Sequence, residues 1–373
     1  MAAKPIMVLS SDWHLNPISW KKHQKIQRDS YYSLQQIVDL SLDLNVPLIG
    51  AGDLFDVKLP PSESVLFCYE QMQRLNKANL PMYYVQGQHE YAEKPWLNLC
   101  SNAQHIDSFK YDNGIKIFDI QGLRVCGMDI EISPTKFSIR CESLKTLAKG
   151  NQLDLFVTHQ VWADFIQKRD SVFSLQNATF AKMVYTGDYH KTEVLDVAGT
   201  ICLSSGSINM QANNESPHKV IFILNDDLTY TAHQLKTRPF SSFEIRTEEN
   251  LNGILNRHMD DFFFNWPYRD LPDYIQTPLI AIKYQNNLPN AFEALSEKFK
   301  DWNYDLSPVD FSSIEIKAAA DRRQVQDLVD IGECVSQFVP EDSLAHKDAV
   351  RIFTASDVEA ELMSMRKEHL ESI

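Results

Sequence analysis

The sequence predicts an α/β protein built as a two-sheet sandwich flanked by helices, followed by a small α+β domain and C-terminal helices. Three observations predict this class. Short apolar runs alternate with helical stretches up to about residue 235, the order changes to β–α–β over residues 236–320, and residues 321–373 have a polar, helical pattern. At 373 residues the chain is long enough for more than one domain, so we expect three segments with these limits.

Composition narrows the class of protein. A hydrophobic content of 44% and a charged content of 23% are typical of a globular chain with a sizeable core. The formal net charge of -14 argues against coating nucleic acid by bulk attraction, although local basic patches or bound cations remain compatible with it. The six cysteines form no C-x-x-C pair, which indicates reduced thiols. No signal peptide or bilayer-spanning stretch is present, so we expect a cytoplasmic protein without a membrane partner.

The first 235 residues predict strand–helix–strand units. In the helical stretch Arg28–Leu44, apolar side chains recur at helical spacing and Pro47 lies just beyond its end. Strand, helix and strand in succession favour parallel pairing through a right-handed crossover. Later runs separated by turn residues are expected to form hairpins that extend a second sheet: Ile115–Ile120, Leu123–Met128, Thr200–Leu203 and Lys219–Leu224.

The remaining chain predicts a smaller domain and a helical tail. Two β runs, Leu279–Tyr284 and Ser313–Lys317, enclose the helical stretch Asn290–Trp302. After Asp321 the apolar spacing predicts two amphipathic helices, the second at Ala355–Glu371. These helices either pack on the body of the protein or dock a partner, and the pattern leaves both open. No Walker-type glycine loop is present, so we expect this chain to bind no nucleotide.

Five apolar runs lead directly into side chains that ligate metals. Each motif by itself also has an ordinary structural explanation, such as a capped turn or an interior histidine whose hydrogen bonds are satisfied. The conjunction is informative because the carboxyl ends of strands in a sheet share one edge, where a rigid framework can hold several ligands. In chain order, the clusters are Asp12 and His14; Asp53 and Asp56; Gln88, His89 and Glu90; His159; and Asp188 and His190.

The residue types indicate a binuclear centre for phosphoryl chemistry. Carboxylates and imidazoles without thiolates suit Mn²⁺, Fe²⁺ or Zn²⁺ rather than a structural zinc site. Two cations about 3.5–4 Å apart can clamp a phosphoryl group, and one carboxylate must bridge them. Asp53 is the candidate for the bridge. A hydroxide activated by the two metals would then attack the phosphorus near neutral pH.

The five clusters resemble, in order, the D-x-H, G-D-x-x-D, G-N-H-[DE], H and G-H-x-H motifs of the calcineurin-like phosphoesterase superfamily. Within it, the sequence resembles SbcD-type DNA double-strand-break nucleases, relatives of the eukaryotic meiotic recombination (MRE-eleven) nuclease. Two further runs carry this narrower resemblance: Ser204-Ser205-Gly206-Ser207, where the family has a P-G-S-like loop, and Thr237-Arg238-Pro239-Phe240, where its capping domain starts. The loop Ser207–Glu215 is closer to phage members of the family. The resemblance implies a metallophosphoesterase sandwich with a capping domain.

The resemblance also implies a role for each ligand motif. His89 falls at the position of the histidine that contacts the scissile phosphate and assists the leaving oxygen. Asp56 and Glu90 are expected to orient histidines or their loops. The first metal would be held by Asp12, His14, Asp53 and His190. The second would be held by Asp53, Gln88, His159 and Asp188.

Two residues depart from the family pattern, and both fall on the second metal. Gln88 stands where the family has Asn, and Asp188 stands where it has His. Both retain an oxygen ligand, so we expect two divalent ions, with Mn²⁺ preferred and Mg²⁺ as the other hard candidate. The competing interpretation is a lost second site, which would leave a one-metal or catalytically impaired scaffold.

By resemblance, the function is a metal-dependent DNA exonuclease and endonuclease subunit in recombination, repair or end processing. Its partners would be DNA and an SbcC-type (RAD-fifty-like) ABC ATPase docked through the C-terminal helices. It would form a homodimer within a heterotetramer through Ser62–Lys77 and the Trp96–Ala103 region. A basic cluster is expected either to contact phosphates or to be a solvated loop: Lys21, Lys22, Lys25 and Arg28. The alternative enzyme is a phosphatase or cyclic-nucleotide phosphodiesterase of the same superfamily, which would need no capping domain.

Overall fold

Two six-stranded sheets carry the candidate ligands. The computed structural model describes residues 3–20, 26–111, 114–166, 173–212, 214–263, 266, 268 and 270–311. The chain divides into two compact units, residues 1–283 with 289–307 and residues 284–288 with 308–373. Of the second unit, only residues 284–288 and 308–311 are described. The predicted domain limits at residues 235 and 320 stay a prediction.

The first sheet has the order β12-β11-β1-β2-β3-β4, in which β1 to β4 are parallel and the other two strands antiparallel to their neighbours. Its strands are β1 (Pro5–Ser10), β2 (Leu48–Ala51), β3 (Met82–Val85), β4 (Ala103–His105), β11 (Val220–Asn225) and β12 (Tyr230–Gln234). The second sheet has the order β5-β6-β7-β8-β10-β9. Its strands are β5 (Phe118–Ile120), β6 (Leu123–Met128), β7 (Leu153–His159), β8 (Ala181–Gly187), β9 (Glu193–Val197) and β10 (Thr200–Ser204).

Three helices cover the sheets: α1 (Asp29–Leu44), α2 (Ser62–Lys77) and α3 (Pro134–Leu147). Buried side chains of α1 and α2 pack on one face of the first sheet. The other face of that sheet packs against the second sheet through strand residues such as Leu9 and Val157. Helix α3 packs on the far face of the second sheet through Phe137 and Leu144. The layers are therefore helix, sheet, sheet and helix, which confirms the predicted sandwich.

Local chemistry sets where these helices begin and end. Pro61 precedes α2, where a missing N–H is tolerated. The Ser133 side chain accepts a hydrogen bond from the Lys136 amide at the start of α3. Helix α1 ends at Asn45, whose left-handed backbone lets the chain turn into β2.

A third, three-stranded sheet follows, in the order β13-β14-β15. Its strands are β13 (Phe240–Ile245), β14 (Leu279–Gln285) and β15 (Asn303–Val309), and its helices are α4 (Glu248–Asn256), α5 (Asp273–Gln276) and α6 (Ala291–Lys298). Short 3-10 helices occur at Trp96–Leu99, Leu175–Ala178 and Met259–Phe262. Among the residues that the structure describes, no helix is both long and apolar enough to cross a membrane.

Two sequence predictions need correction. The run at Lys219–Leu224 was assigned to the second sheet, but β11 pairs antiparallel with β1 in the first. Both sheets offer an apolar inner face, so the pattern of one run does not select between them. Strand β15 was not predicted, because Asp305 and Pro308 interrupt its apolar pattern. The predicted strand Ser313–Lys317 and the two terminal helices lie outside the described residues.

Candidate metal centre

The five ligand motifs follow five strands that point the same way within their sheets. Strands β1, β2 and β3 are mutually parallel in the first sheet, and β7 and β8 are parallel in the second. The carboxyl ends of both sets meet at Gly52, where an added Cβ atom would lie 2.4 Å from Nδ1 of His159. At Gly87 an added Cβ atom would lie 2.1 Å from Oδ1 of Asp53. Both positions require glycine because a ligand side chain occupies that space.

Four candidate ligands have left-handed backbone conformations. The φ angles are 50° at Asp12, 43° at His14, 49° at Asp53 and 70° at Asp188. This region is uncommon for residues other than glycine and clusters at functional sites. Backbone hydrogen bonds hold the conformation, including Asp12 N to the Gly52 carbonyl at 3.0 Å and His14 N to the Asp53 carbonyl at 2.9 Å. The fold thus fixes these side chains before any ligand binds.

The first group of candidate ligands is Asp12, His14 and His190, whose ligating atoms lie within 4.8 Å of one another. Nε2 of His14 is 3.1 Å from Nε2 of His190, which in turn is 3.7 Å from Oδ1 of Asp12. Asp53 joins the group, with Oδ2 at 3.9 Å from Nε2 of His14. Two imidazole nitrogens and two carboxylates therefore converge on one point.

The second group is Asp12, Asp53 and His159. Nε2 of His159 is 3.3 Å from Oδ2 of Asp53 and 4.0 Å from Oδ1 of Asp188. Gln88 donates its side-chain amide to the same Asp188 oxygen at 2.7 Å. The two residues that depart from the family pattern therefore contact each other.

His89 lies beside both groups. Its ring Nδ1 is 2.8 Å from the Asp56 carbonyl oxygen, and its Nε2 is 3.8 Å from Oδ2 of Asp53. Because a carbonyl oxygen can only accept, Nδ1 carries a proton, and Nε2 is the nitrogen that faces the cluster. The main-chain amide of His89 also donates to Oδ1 of Asp53 at 2.9 Å.

Atoms of the cluster lack partners in a way that fits a bound cation. Among the described residues, Oδ2 of Asp12, Oδ2 of Asp53 and Nε2 of His159 are buried without a hydrogen bond. An unsatisfied buried polar group is costly, and native proteins seldom leave one without a reason. Nδ1 of His159 bonds the Ala51 carbonyl at 2.7 Å, which leaves a lone pair on the unpartnered Nε2. The donor set therefore fits divalent metal ions.

The charges also suit a cation site. Burial alone would raise the pKa of Asp53, but His159 and His14 outweigh it and hold that pKa below its usual range. Asp53 therefore stays ionised and available to a metal. Burial, together with Asp53, raises the pKa of Glu90 to about 8. Glu90 accepts the Gly87 amide at 2.9 Å, which is consistent with a role in holding its loop.

The contacts around the ligands extend beyond the sequence prediction. Oδ1 of Asp56, which the sequence predicted to orient a histidine or its loop, lies 3.5 Å from Nδ1 of His14. Sequence reasoning did not connect Glu215 with the site, although its Oε1 is 2.9 Å from Nδ1 of His190. Because the two residues are far apart in the chain, no motif spacing could have revealed this contact.

A cleft of about 590 Å³ opens over the ligands. Its lining adds residues that the motifs did not include: Asn16, Trp20, Asn209, Gln211, Lys283 and Asp305. The basic cluster is described only at Arg28, which forms an ion pair of 2.9 Å with Glu63. Lys21, Lys22 and Lys25 lie outside the described residues.

Curated relatives agree with the resemblance derived from the motifs. No family model matches the chain. The chain is 22% identical over 283 residues to the DNA double-strand break repair protein Mre11 of Methanosarcina mazei, which covers 68% of this chain and 42% of that protein. It is 26% identical over 152 residues to Mre11 of Saccharolobus solfataricus, covering 40% of this chain and 39% of that protein. The chain thus spans about two fifths of the length of these relatives.

Among solved structures, the chain is similar to an archaeal phosphodiesterase, with a TM-score of 0.36 and 14% identity over 61% of this chain and 99% of that one. The predicted resemblance to Mre11-type proteins is confirmed by the sequence matches.

Proposed function

We propose that this chain, a calcineurin-like phosphoesterase resembling Mre11-type proteins, is the nuclease subunit of a DNA repair or recombination complex. It would hydrolyse DNA phosphodiester bonds with two divalent metal ions. The observation that carries the proposal is the convergence of five motifs on one cluster of buried, unpartnered donor atoms at the base of an open cleft.

The ligands are assigned from the family resemblance, and the distances within the cluster support the assignment. Asp12, His14, Asp53 and His190 would hold one ion; Asp53, Gln88, His159 and Asp188 would hold the other. When bound, a pair of divalent ions neutralises phosphoryl charge and lowers the pKa of a bound water. Asp53 would bridge the two ions, since its Oδ2 approaches histidines of both groups.

His89 would protonate the oxygen of the leaving group. Its ring is fixed through Nδ1, and the ring is partly exposed at the cleft, so Nε2 can reach a bound phosphate. A proton on Nε2 would be donated to the oxygen that departs from phosphorus. Fixing the other nitrogen keeps that proton aimed at the substrate without further reorganisation.

The metal preference would be Mn²⁺. Gln88 and Asp188 both offer oxygen, and their mutual hydrogen bond at 2.7 Å leaves the Gln88 carbonyl oxygen to act as a ligand. With only His159 as nitrogen donor, the second position is richer in oxygen than the family pattern, which favours harder ions. Activity with Mn²⁺ but not with Zn²⁺ would support this assignment.

Partner binding is inferred from the resemblance and from one exposed surface. Leu66 and Tyr69 of α2 are 58% and 41% exposed, and Leu99 of the neighbouring 3-10 helix is 62% exposed. Exposed apolar side chains on adjacent elements suit a homodimer contact. Sedimentation of Leu66→Glu, beside a matched Leu147→Glu on α3, tests it. Docking of an SbcC-type ATPase through residues 321–373 stays a proposal on residues outside those described.

The test of function is cleavage of end-labelled duplex and single-stranded DNA with Mn²⁺, Mg²⁺ or EDTA. We expect Mn²⁺-dependent cutting that falls at least about 1000-fold in Asp53→Asn, since that change removes the group shared by both metals. Asp154→Asn, at the opposite end of β7, is the matched control and should cut normally. Wild-type protein that binds two Mn²⁺ ions but cuts neither DNA, alone or with its ATPase, would refute the nuclease and leave a scaffold.

A further inference from the structure

Glu215 is a buried carboxylate beside the candidate metal centre, and it accepts several hydrogen bonds. Its side chain is 4% exposed, and its two oxygens accept four hydrogen bonds. Oε1 accepts from Nδ1 of His190 at 2.9 Å. Oε2 accepts from Oγ of Ser207 at 2.8 Å, from the Gln211 amide at 3.2 Å and from Nζ of Lys219 at 2.6 Å.

Lys219 explains how a carboxylate can sit there. The lysine is 2% exposed and donates to Glu215 and to Ser207 Oγ, the latter at 2.9 Å. A lone buried charge is costly, whereas a hydrogen-bonded pair carries no net charge. Lys219 therefore compensates the negative charge of Glu215, and Glu215 can accept the hydrogen bond from His190 without leaving an uncompensated buried charge.

The geometry of His190 shows what the contact with Glu215 does. With Nδ1 donating to Glu215, the ring presents Nε2 to the cluster, at 3.7 Å from Oδ1 of Asp12 and 3.1 Å from Nε2 of His14. An imidazole that ligates through one nitrogen needs the other held by an acceptor, which fixes its tautomer and orientation. The His190 side chain is 30% exposed at the cleft, so packing constrains its ring less than that of the fully buried His159.

We propose that Glu215, held in place by Lys219, is the positioning residue for His190 and thereby sets the affinity of the first metal site. This inference rests on the proposed function only in assuming that His190 ligates a metal. Glu215 also ends the loop that carries Asn209 and Gln211 into the cleft wall.

The experiment is calorimetric titration of the metal-free full chain with Mn²⁺, in the absence of DNA. Glu215→Gln keeps the size of the side chain but removes its charge, and we expect one of the two sites to weaken about 10- to 100-fold. Asp154→Asn is the matched control, because Asp154 accepts from Lys182 at 2.7 Å in a similar ion pair away from the metals. The control should bind both ions as the wild type does.

Two further proteins separate positioning from a general structural role. The double variant Glu215→Leu, Lys219→Met replaces the ion pair with hydrocarbon, which buried sites often tolerate, and should show the same weakened site. In a His190→Ala background, Glu215→Gln should add less than about twofold, because both changes act through one ring.

Unchanged Mn²⁺ affinities in Glu215→Gln would overturn the proposal. Equal weakening of both sites, together with a lower melting temperature of the metal-free protein, would overturn it as well, since that outcome indicates a purely structural role. Because no DNA is present, these results do not depend on nuclease activity. A wild type that binds metal but never cuts DNA refutes the function alone.

Discussion

Among the described residues, two clusters combine histidine with buried aspartates at the carboxyl ends of strands. One is the metal centre. The other, which we call the outer cluster, consists of His105, Asp107 and Asp129 after β4 and β6. Residue type, burial and position in the sheet are alike, so none of these properties separates the two clusters.

They differ in what satisfies the carboxylates. In the outer cluster, Asp129 accepts from Nε2 of His105 and Nζ of Lys110, both at 2.7 Å, and from the Gln86 amide at 2.8 Å. In the metal centre, Asp12 and Asp53 each keep a buried oxygen without a hydrogen bond. A protein cation therefore fills the position in one cluster that the other leaves to an external cation. Unpartnered donors, rather than residue types, indicate the metal site.

The largest expected effect sharpens the assignment of roles within the metal centre. His89→Gln should lower DNA cleavage about 100- to 10,000-fold, the usual range for loss of a general acid, while both Mn²⁺ ions still bind. Cleavage rates with saturating Mn²⁺, paired with calorimetric titration, measure the two effects separately. Normal cleavage by this variant would contradict the leaving-group role.

The next prediction concerns the outer cluster. Asp129→Asn should leave Mn²⁺ binding by the metal centre intact but lower the free energy of unfolding by about 2 kcal/mol, because Lys110 and His105 lose a charged partner. Chemical denaturation with a parallel Mn²⁺ titration checks it. Loss of a bound Mn²⁺ ion in this variant, with the fold intact, would mean that the outer cluster is itself a metal site.

A third prediction reverses the two departures from the family pattern. Gln88→Asn with Asp188→His exchanges a carboxylate for an imidazole, so the ratio of Mn²⁺ to Zn²⁺ affinity should fall about tenfold. Competition between the two metals gives the ratio directly. Because Gln88 and Asp188 are hydrogen-bonded to each other, the effects of the two single substitutions should not sum to the effect of the double substitution. An unchanged ratio would exclude Asp188 as a ligand.

Sequence reasoning identified the candidate ligands that the structure brings together, because strand ends and motif order are local properties of the chain. Helix α2 was predicted with the observed limits, and the five motifs were expected at the carboxyl ends of strands, which the structure divides between two sheets. The left-handed backbone at Asp12 and Asp53 was not foreseen, because hydrogen bonds between the loops after β1 and β2 hold it. The contact of Glu215 with His190 was missed because only the folded chain brings the two residues together.

The smallest expected effect is a pH dependence of stability that arises from Asp107 of the outer cluster. It is 1% exposed, and burial together with Asp129 raises its pKa to about 6, against the lowering influence of Arg140 and His105. The folded protein therefore holds a proton on Asp107 that the unfolded chain has released between about pH 4 and pH 6. Its contribution to stability is full below pH 4 and is lost as the pH rises through 6. Asp129 changes in the opposite sense and at lower pH, since its pKa is lowered to about 2: burial would raise it, but His105 and Lys110 outweigh burial.

Between pH 4 and pH 7, the free energy of unfolding of the wild type should therefore fall relative to that of Asp107→Asn by on the order of 1 kcal/mol. The shift is modest because Asp107 and Asp129 titrate as a coupled pair. Urea denaturation at several pH values in EDTA measures it. A flat difference would mean that Asp107 is ionised throughout. The outer cluster would then hold two buried, ionised carboxylates near one lysine and one arginine. It would resemble the candidate metal centre in its buried negative charge more closely than its hydrogen bonds indicate.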